Sequence, residues 1–145
     1  MAGTTGAGAG TAWSSLARLI RTHGGGSLVG MTKIGVIGSG IVSETLAQGF
    51  LKHGYEVMRG SRDPQKLATW KQGAGASARV GTFEETARFG ELVVLAVKGT
   101  AAEQAVALCG PANLAGKPVL DTTNPIADAP PVQGVLSYFT VLRTA

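Results

Sequence analysis

Six consecutive residues, Gly38-Ser39-Gly40-Ile41-Val42-Ser43, carry the clearest chemical signal in the chain. They follow a short apolar run and open a stretch with helical spacing of apolar residues. A glycine-rich turn between a strand and a helix is a cradle for phosphate. Gly38 permits the tight turn, and Gly40 lets the backbone approach a pyrophosphate with no Cβ in the way. The free N–H groups of the helix start then face the anion with the helix dipole behind them. The third glycine of a G-x-G-x-x-G pattern is replaced by Ser43, whose small side chain still suits helix–strand packing. The competing reading is a purely structural glycine turn.

A second cluster decides which anion. In sites for NAD an Asp or Glu about 20 residues downstream holds the ribose 2′-OH. Here Gly60 occupies that place, within Arg59-Gly60-Ser61-Arg62-Asp63-Pro64-Gln65-Lys66. A 2′-phosphate calls for cations and hydroxyl donors, and an acid would repel it. Ser61 can donate a hydrogen bond, Arg62 can clamp phosphate or stack on adenine, and Lys66 adds charge near a helix start. Asp63 is accounted for as a helix cap before Pro64. The cluster therefore predicts NADP(H) over NAD(H), against the alternative of a solvated basic loop. Strand alternation turns Arg59 toward the opposite side, so it is the weaker candidate.

The elements that position these residues follow from the apolar pattern. Strands are predicted at Lys33–Ile37, Tyr55–Arg59, Ser77–Val80, Leu92–Val97 and from Pro118 to Asp121. Helices are predicted at Ile41–Lys52, with Gly54 as its stop and His53 in a capping role, and from Asp63 to about Gln72. Thr82-Phe83-Glu84-Glu85 reads as a capping box before a short helix ending at Gly90. Thr100-Ala101-Ala102-Glu103 reads as another, opening a helix to about Cys109. Alternating strands and helices predict an α/β fold: a Rossmann-like, doubly wound parallel sheet with helices on both faces. Leu92–Val97, apolar throughout, suits a central strand covered on both sides.

Composition removes other classes. Lys plus Arg is 13 and Asp plus Glu is 9, for a net charge of +4, too mild and scattered for a nucleic-acid binder. Aromatic residues are only 6%, so no stacking platform is suggested, while 44% hydrophobic residues allow a real core. The single Cys109 excludes a disulfide framework and, in its apolar helical context, reads as core. Two histidines leave little for zinc, so no metal is expected. No apolar run reaches the length of a membrane span. No Ser/His/Asp or Cys/His set suggests a catalytic nucleophile, and no catalytic side chain is assigned.

Glycine is abundant, and eight of the 22 glycines fall in residues 1–30, a stretch without acidic residues. Those residues are expected to be a disordered or non-native extension, with Met31 as an alternative start. A transit peptide and leftover vector sequence are the other readings. No secretory h-region is present, so a cytoplasmic location is expected. Residues 31–145 then form the dinucleotide-binding domain.

Four motifs in order complete the picture: Lys33-Ile34-Gly35-Val36-Ile37-Gly38-Ser39-Gly40, Gly60-Ser61-Arg62-Asp63-Pro64, Leu92-Val93-Val94-Leu95-Ala96-Val97 and Asp121-Thr122-Thr123-Asn124-Pro125. Together they resemble the coenzyme F420-dependent NADP oxidoreductase family, from about Met31 to Thr140. The resemblance implies pyrophosphate binding at Gly38, Ser39, Gly40, Ile41 and Val42, and 2′-phosphate binding at Ser61, Arg62 and Lys66. It implies a nicotinamide near Ala96, Val97 and Lys98 and near Asn124 and Pro125. It also implies hydride exchange with a deazaflavin, coenzyme F420, and dimer contacts of the homodimer type. Such a transfer needs two aligned rings and no nucleophile or metal. Alternatives are an NADPH-dependent imine or ferric-chelate reductase on the same fold, or a non-catalytic NADP-sensing module. Members of the family continue past this chain's last residue, so residues 31–145 are expected to be incomplete at the C-terminus.

Overall fold

In the computed structural model, residues 32–138 are described. The expectations for residues 1–30 and for the last residues of the chain lie outside them. All described residues belong to one unit, Thr32–Ala145.

Five parallel strands form the sheet: β1 (Lys33–Ile37), β2 (Glu56–Gly60), β3 (Ala78–Gly81), β4 (Leu92–Leu95) and β5 (Val119–Asp121). Their order is β3-β2-β1-β4-β5, and every pairing is parallel. The chain runs outward from β1 to β3, then crosses back to place β4 on the other side of β1. That reversal makes the C-terminal ends of β1 and β4 the switch point, where open α/β sheets hold their ligands.

The helices are α1 (Ile41–Lys52), α2 (Ala68–Gly73), α3 (Phe83–Phe89), α4 (Ala102–Cys109) and α5 (Pro111–Leu114). Alternation along β2 shows which face each covers. Arg59 bonds to Ser43 of α1 and stacks on Trp70 of α2, whereas a Cβ at the neighbouring Gly60 would run into Thr86 and Phe83 of α3. So α1 and α2 cover one face and α3 the other, as expected for a doubly wound sheet. The core behind α3 and α4 joins Ile37, Phe83, Ala87, Val93, Leu95, Ala105 and Cys109. Gly35 serves close approach: a Cβ there would lie 2.5 Å from the Thr86 carbonyl oxygen. Among the described residues no helix is long and apolar enough to cross a membrane.

The predicted strands and helices are present, with small differences that have local causes. β1 and α1 have the expected bounds. His53 is the C-cap residue of α1, its backbone N–H bonded to the Gly49 and Phe50 carbonyls, and Gly54 follows with φ +87°. The helix expected from Asp63 begins instead as a 3-10 turn, Pro64–Leu67, before α2. Asp63 does cap it, accepting from the Gln65 N–H at 3.1 Å. Thr82 and Glu85 form the reciprocal capping box: the Thr82 hydroxyl accepts from the Glu85 N–H at 3.1 Å and the Glu85 carboxylate from the Thr82 N–H at 2.8 Å.

Two expectations are corrected. β4 stops at Leu95 rather than Val97, because its neighbour β1 ends at Ile37 and turns away at Gly38. The Leu95 carbonyl instead accepts from the N–H of Thr122 at 3.0 Å and its hydroxyl at 2.9 Å. Thr100 does not cap α4. It lies inside a 3-10 turn, Gly99–Ala101, and α4 starts after Ala101 with no side-chain cap. The backbone makes the turn itself, the Ala101 N–H donating to the Lys98 carbonyl at 2.9 Å.

Candidate active site

The glycine turn is shaped by the sheet beneath it. Gly38 has φ +139°, a conformation nearly closed to L side chains, and a Cβ on it would collide with the Ala96 carbonyl oxygen. Its N–H donates to the Gly60 carbonyl at 2.9 Å, tying the turn to the end of β2. Gly40 is different. Its φ and ψ, −81° and −176°, are ordinary extended values, and a Cβ there would meet nothing within 4 Å. The fold therefore needs a glycine at position 38 and leaves open space beside position 40. Ser43, fully buried, donates to the Gly38 carbonyl at 2.5 Å. In place of a third glycine this serine adds a bond across the turn.

Beyond the turn, α1 starts with two apolar side chains in solvent, Ile41 at 75% and Val42 at 50% exposure. The N-cap carbonyl of Gly40 takes the first helical bond, from the Glu44 N–H at 3.1 Å. The N–H groups before it have no acceptor within the helix, as at any helix start.

Two cavities reach the glycines of this turn. One, of about 580 Å³, lies between the ends of β2 and β4 and is lined by Gly38, Ser39, Gly40, Ser61, Arg62, Lys66, Ala96, Val97 and Lys98. Ser61 is buried, and its hydroxyl accepts from the Asp63 N–H at 3.1 Å. Its remaining donor capacity is free for a ligand oxygen. Arg62 and Lys66 are exposed. Asp63 also borders this cavity, but its carboxylate is engaged with the Gln65 N–H. The other cavity, of about 830 Å³, is lined by Gly40, Ile41, Val42, Ala96, Val97, Lys98 and Asn124. Lys98 and Asp128 pair across its rim at 3.7 Å, both largely exposed.

Of the thirteen residues given cofactor contacts from the sequence, all but Pro125 line one cavity or the other. Pro125 lines neither of them. The sequence did not point to Gly99, Thr122, Ile126, Ala127, Asp128 and Ala129 around the larger cavity. It also missed Phe83, Ala101, Gln104, Ala105 and Leu108 around the smaller one. For Phe83 a signal existed, since it is the first residue after the Thr82 cap and so stands at the mouth of β3. For residues 126–129 none did, because their place depends on the path taken after β5.

Arg59 is buried behind the turn, 1% exposed, and borders neither of these two cavities but a third, shared with Ser39, Glu44, Lys66 and Trp70. Cys109 is packed in the core, where burial pushes its thiol up to about 11, far from the thiolate a nucleophile needs. Among the described residues no three His, Cys, Asp or Glu side chains group to hold a metal.

A family model described as NADP oxidoreductase, coenzyme F420-dependent, matches residues 33–125. Among solved structures, the chain resembles an Arthrobacter protein provisionally described as an F420-dependent NADP reductase. The two are 31% identical with a TM-score of 0.63 over 69% of this chain and 48% of that one. It resembles an Aspergillus terreus reductive aminase in complex with NADPH at 29% identity and a TM-score of 0.54, over 65% and 32%. The Plasmodium falciparum pyrroline carboxylate reductase with NADP bound shares the fold, at 20% identity and a TM-score of 0.52 over 67% and 36%. The chain thus spans about half the length of the first and about a third of the other two. No curated protein matches it.

Proposed function

Because the chain belongs to the coenzyme F420-dependent NADP oxidoreductase family, we propose that residues 33–125 bind NADP(H) for hydride transfer to or from a deazaflavin. One observation carries the choice of dinucleotide. Ser61, Arg62 and Lys66 border the same cavity as the Gly38–Gly40 turn, and the one acid there, Asp63, is spent on a helix cap. That pattern suits a 2′-phosphate and offers no free carboxylate to accept from a ribose 2′-OH.

The fit extends to the rest of the molecule. The open space beside Gly40 leaves room for a pyrophosphate. The N–H groups at Ile41 and Val42 supply its donors. Ala96, Val97, Lys98 and Asn124 border the larger cavity, which takes the nicotinamide end. When bound, the dinucleotide supplies the hydride that an acceptor takes up. The protein's part is to hold two rings in register and to keep water out. Ile41 and Val42, apolar and exposed at the cavity wall, serve that exclusion. The F420 acceptor, a homodimer and a cytoplasmic location belong to the same proposal. The likeness to a reductive aminase, 29% identical, keeps imine reduction as the second reading.

Titration of NADPH and NADH against the full chain tests the binding. NADPH is expected to bind more tightly, and Arg62→Ala to cost it about 10- to 100-fold while NADH changes by less than about threefold. Equal weak affinity for both dinucleotides would sink the 2′-phosphate assignment. Stopped-flow mixing of bound NADPH with F420, flavin, imines and ferric chelates then identifies the acceptor. Firm NADPH binding with transfer to none of them would favour a sensing module.

A further inference from the structure

Behind the phosphate-binding turn, on the side away from the cleft, lies a cation that dinucleotide recognition alone does not explain. Arg59 is next to last in β2 and is buried, with 1% exposure. Its Nε donates to the Ser43 hydroxyl at 3.1 Å and its Nη2 to the Gly40 carbonyl at 3.2 Å. Its Nη1 lies 3.5 Å from Glu44, and the guanidinium stacks 4.8 Å from the centre of the Trp70 ring. Ser43 in turn donates to the Gly38 carbonyl. The guanidinium thus reaches both glycines of the turn, Gly40 directly and Gly38 through one hydroxyl.

Stability is a poor reason for this arrangement. The Gly40 carbonyl already accepts from the Glu44 N–H, and Ser43 has its own bond to Gly38, so neither needs the arginine. The cation also sits beneath the start of α1, where the helix dipole is positive and disfavours it. Burial pushes its pKa down, and the half-exposed Glu44 offsets this only in part. An anion on the far side of the turn reverses that balance, because each positive group then faces a negative charge.

Resting on the proposed dinucleotide site, we propose that Arg59 is a positioning residue for it. It holds the Gly38–Gly40 turn in its anion-accepting form and places a buried positive charge behind the pyrophosphate. Its contribution falls on the part shared by NADPH and NADH, whereas that of Arg62 falls on the 2′-phosphate.

Three probes separate the roles: NADPH, NADH and adenosine 2′-monophosphate, which lacks the pyrophosphate. Affinities are measured for the wild type, Arg59→Met and Arg59→Lys, with thermal melts recorded without nucleotide. Arg59→Met is expected to weaken NADPH and NADH by the same factor, about tenfold. Adenosine 2′-monophosphate should change by less than about twofold, and the melt should not fall, since an apolar chain of similar length replaces a costly buried charge. Arg59→Lys, which keeps the charge but loses the fork, should lie between. Unchanged affinity for both dinucleotides overturns the inference. So does a loss shared by all three probes together with a lower melt, which marks a merely structural residue. Should Arg59→Met not fold, Arg59→Lys decides: weaker dinucleotide binding with the 2′-phosphate probe retained supports the role, and unchanged binding of all three rejects it. A wild type that binds no dinucleotide defeats the site assignment itself, and this inference with it.

Discussion

On the β2 side of the cleft, the glycine turn is braced from behind. Val36, Ile37 and Val57 are fully buried, Gly38 is bonded to the end of β2, and Arg59 and Ser43 cross under the loop. On the β5 side, the chain leaves an edge strand whose Val119 is 45% exposed and continues through Val132, Val135 and Tyr138, each more than half in solvent. Two isolated bridges, Ile126 to Tyr138 and Val132 to Val135, and the bond from the Ala127 N–H to the Ser137 carbonyl at 2.8 Å hold that segment. The first side takes its geometry from the core, so a ligand finds its donors already placed. The second has little core behind it, and regions of that kind lie at the low end of local stability. The difference separates a glycine turn backed by buried residues from a segment after β5 that lies largely in solvent.

The harshest test of the braced side is Gly38→Ala. It forces a side chain into a φ of +139° and against the Ala96 carbonyl. Strain and overpacking together predict a loss of about 3 kcal/mol or more, read from denaturant unfolding. A cost below about 1 kcal/mol would mean that the turn can move, and the contrast between the two sides would fail.

Gly40→Ala sharpens the same comparison within two residues. Its backbone is ordinary and its surroundings are empty. The change loses a modest N-cap preference and gains chain stiffness, so stability should stay within about 1 kcal/mol. Dinucleotide affinity should nevertheless fall about tenfold or more, as a methyl group enters the space meant for pyrophosphate. Full stability with full affinity would show that the open space beside Gly40 is not the binding site.

These cases also show what could be read from the residues beforehand. β1, the glycine turn and α1 were legible because their determinants are adjacent in the chain: an apolar run, two glycines and a helical pattern. The Thr82 cap was legible for the same reason, as both partners lie within one turn. Thr100 misled because the same letters do not say whether the backbone will close the turn itself, as the Lys98 carbonyl does here. Alternation placed Arg59 on the far face of β2, but its meeting with Ser43 and Glu44 depends on how α1 packs over the sheet. The lining at residues 126–129 depends on chain path after β5, for which no periodicity exists. Local rules place the glycine turn, and only three-dimensional packing shows what backs it.

The mildest perturbation belongs to the exposed side. Val132 and Val135 are 70% and 68% exposed, so replacing both by serine returns little apolar surface to water. Neither lines the two cavities of the site. The pair Val132→Ser, Val135→Ser should therefore change unfolding stability by less than about 1 kcal/mol. NADPH affinity should be unchanged within the precision of the titration. A cost above about 2 kcal/mol would show that this segment is packed more firmly than its exposure implies. Weaker NADPH binding at unchanged stability would extend the ligand's reach past Ala129. Either result would require the segment after β5 to be treated as preset, like the turn opposite.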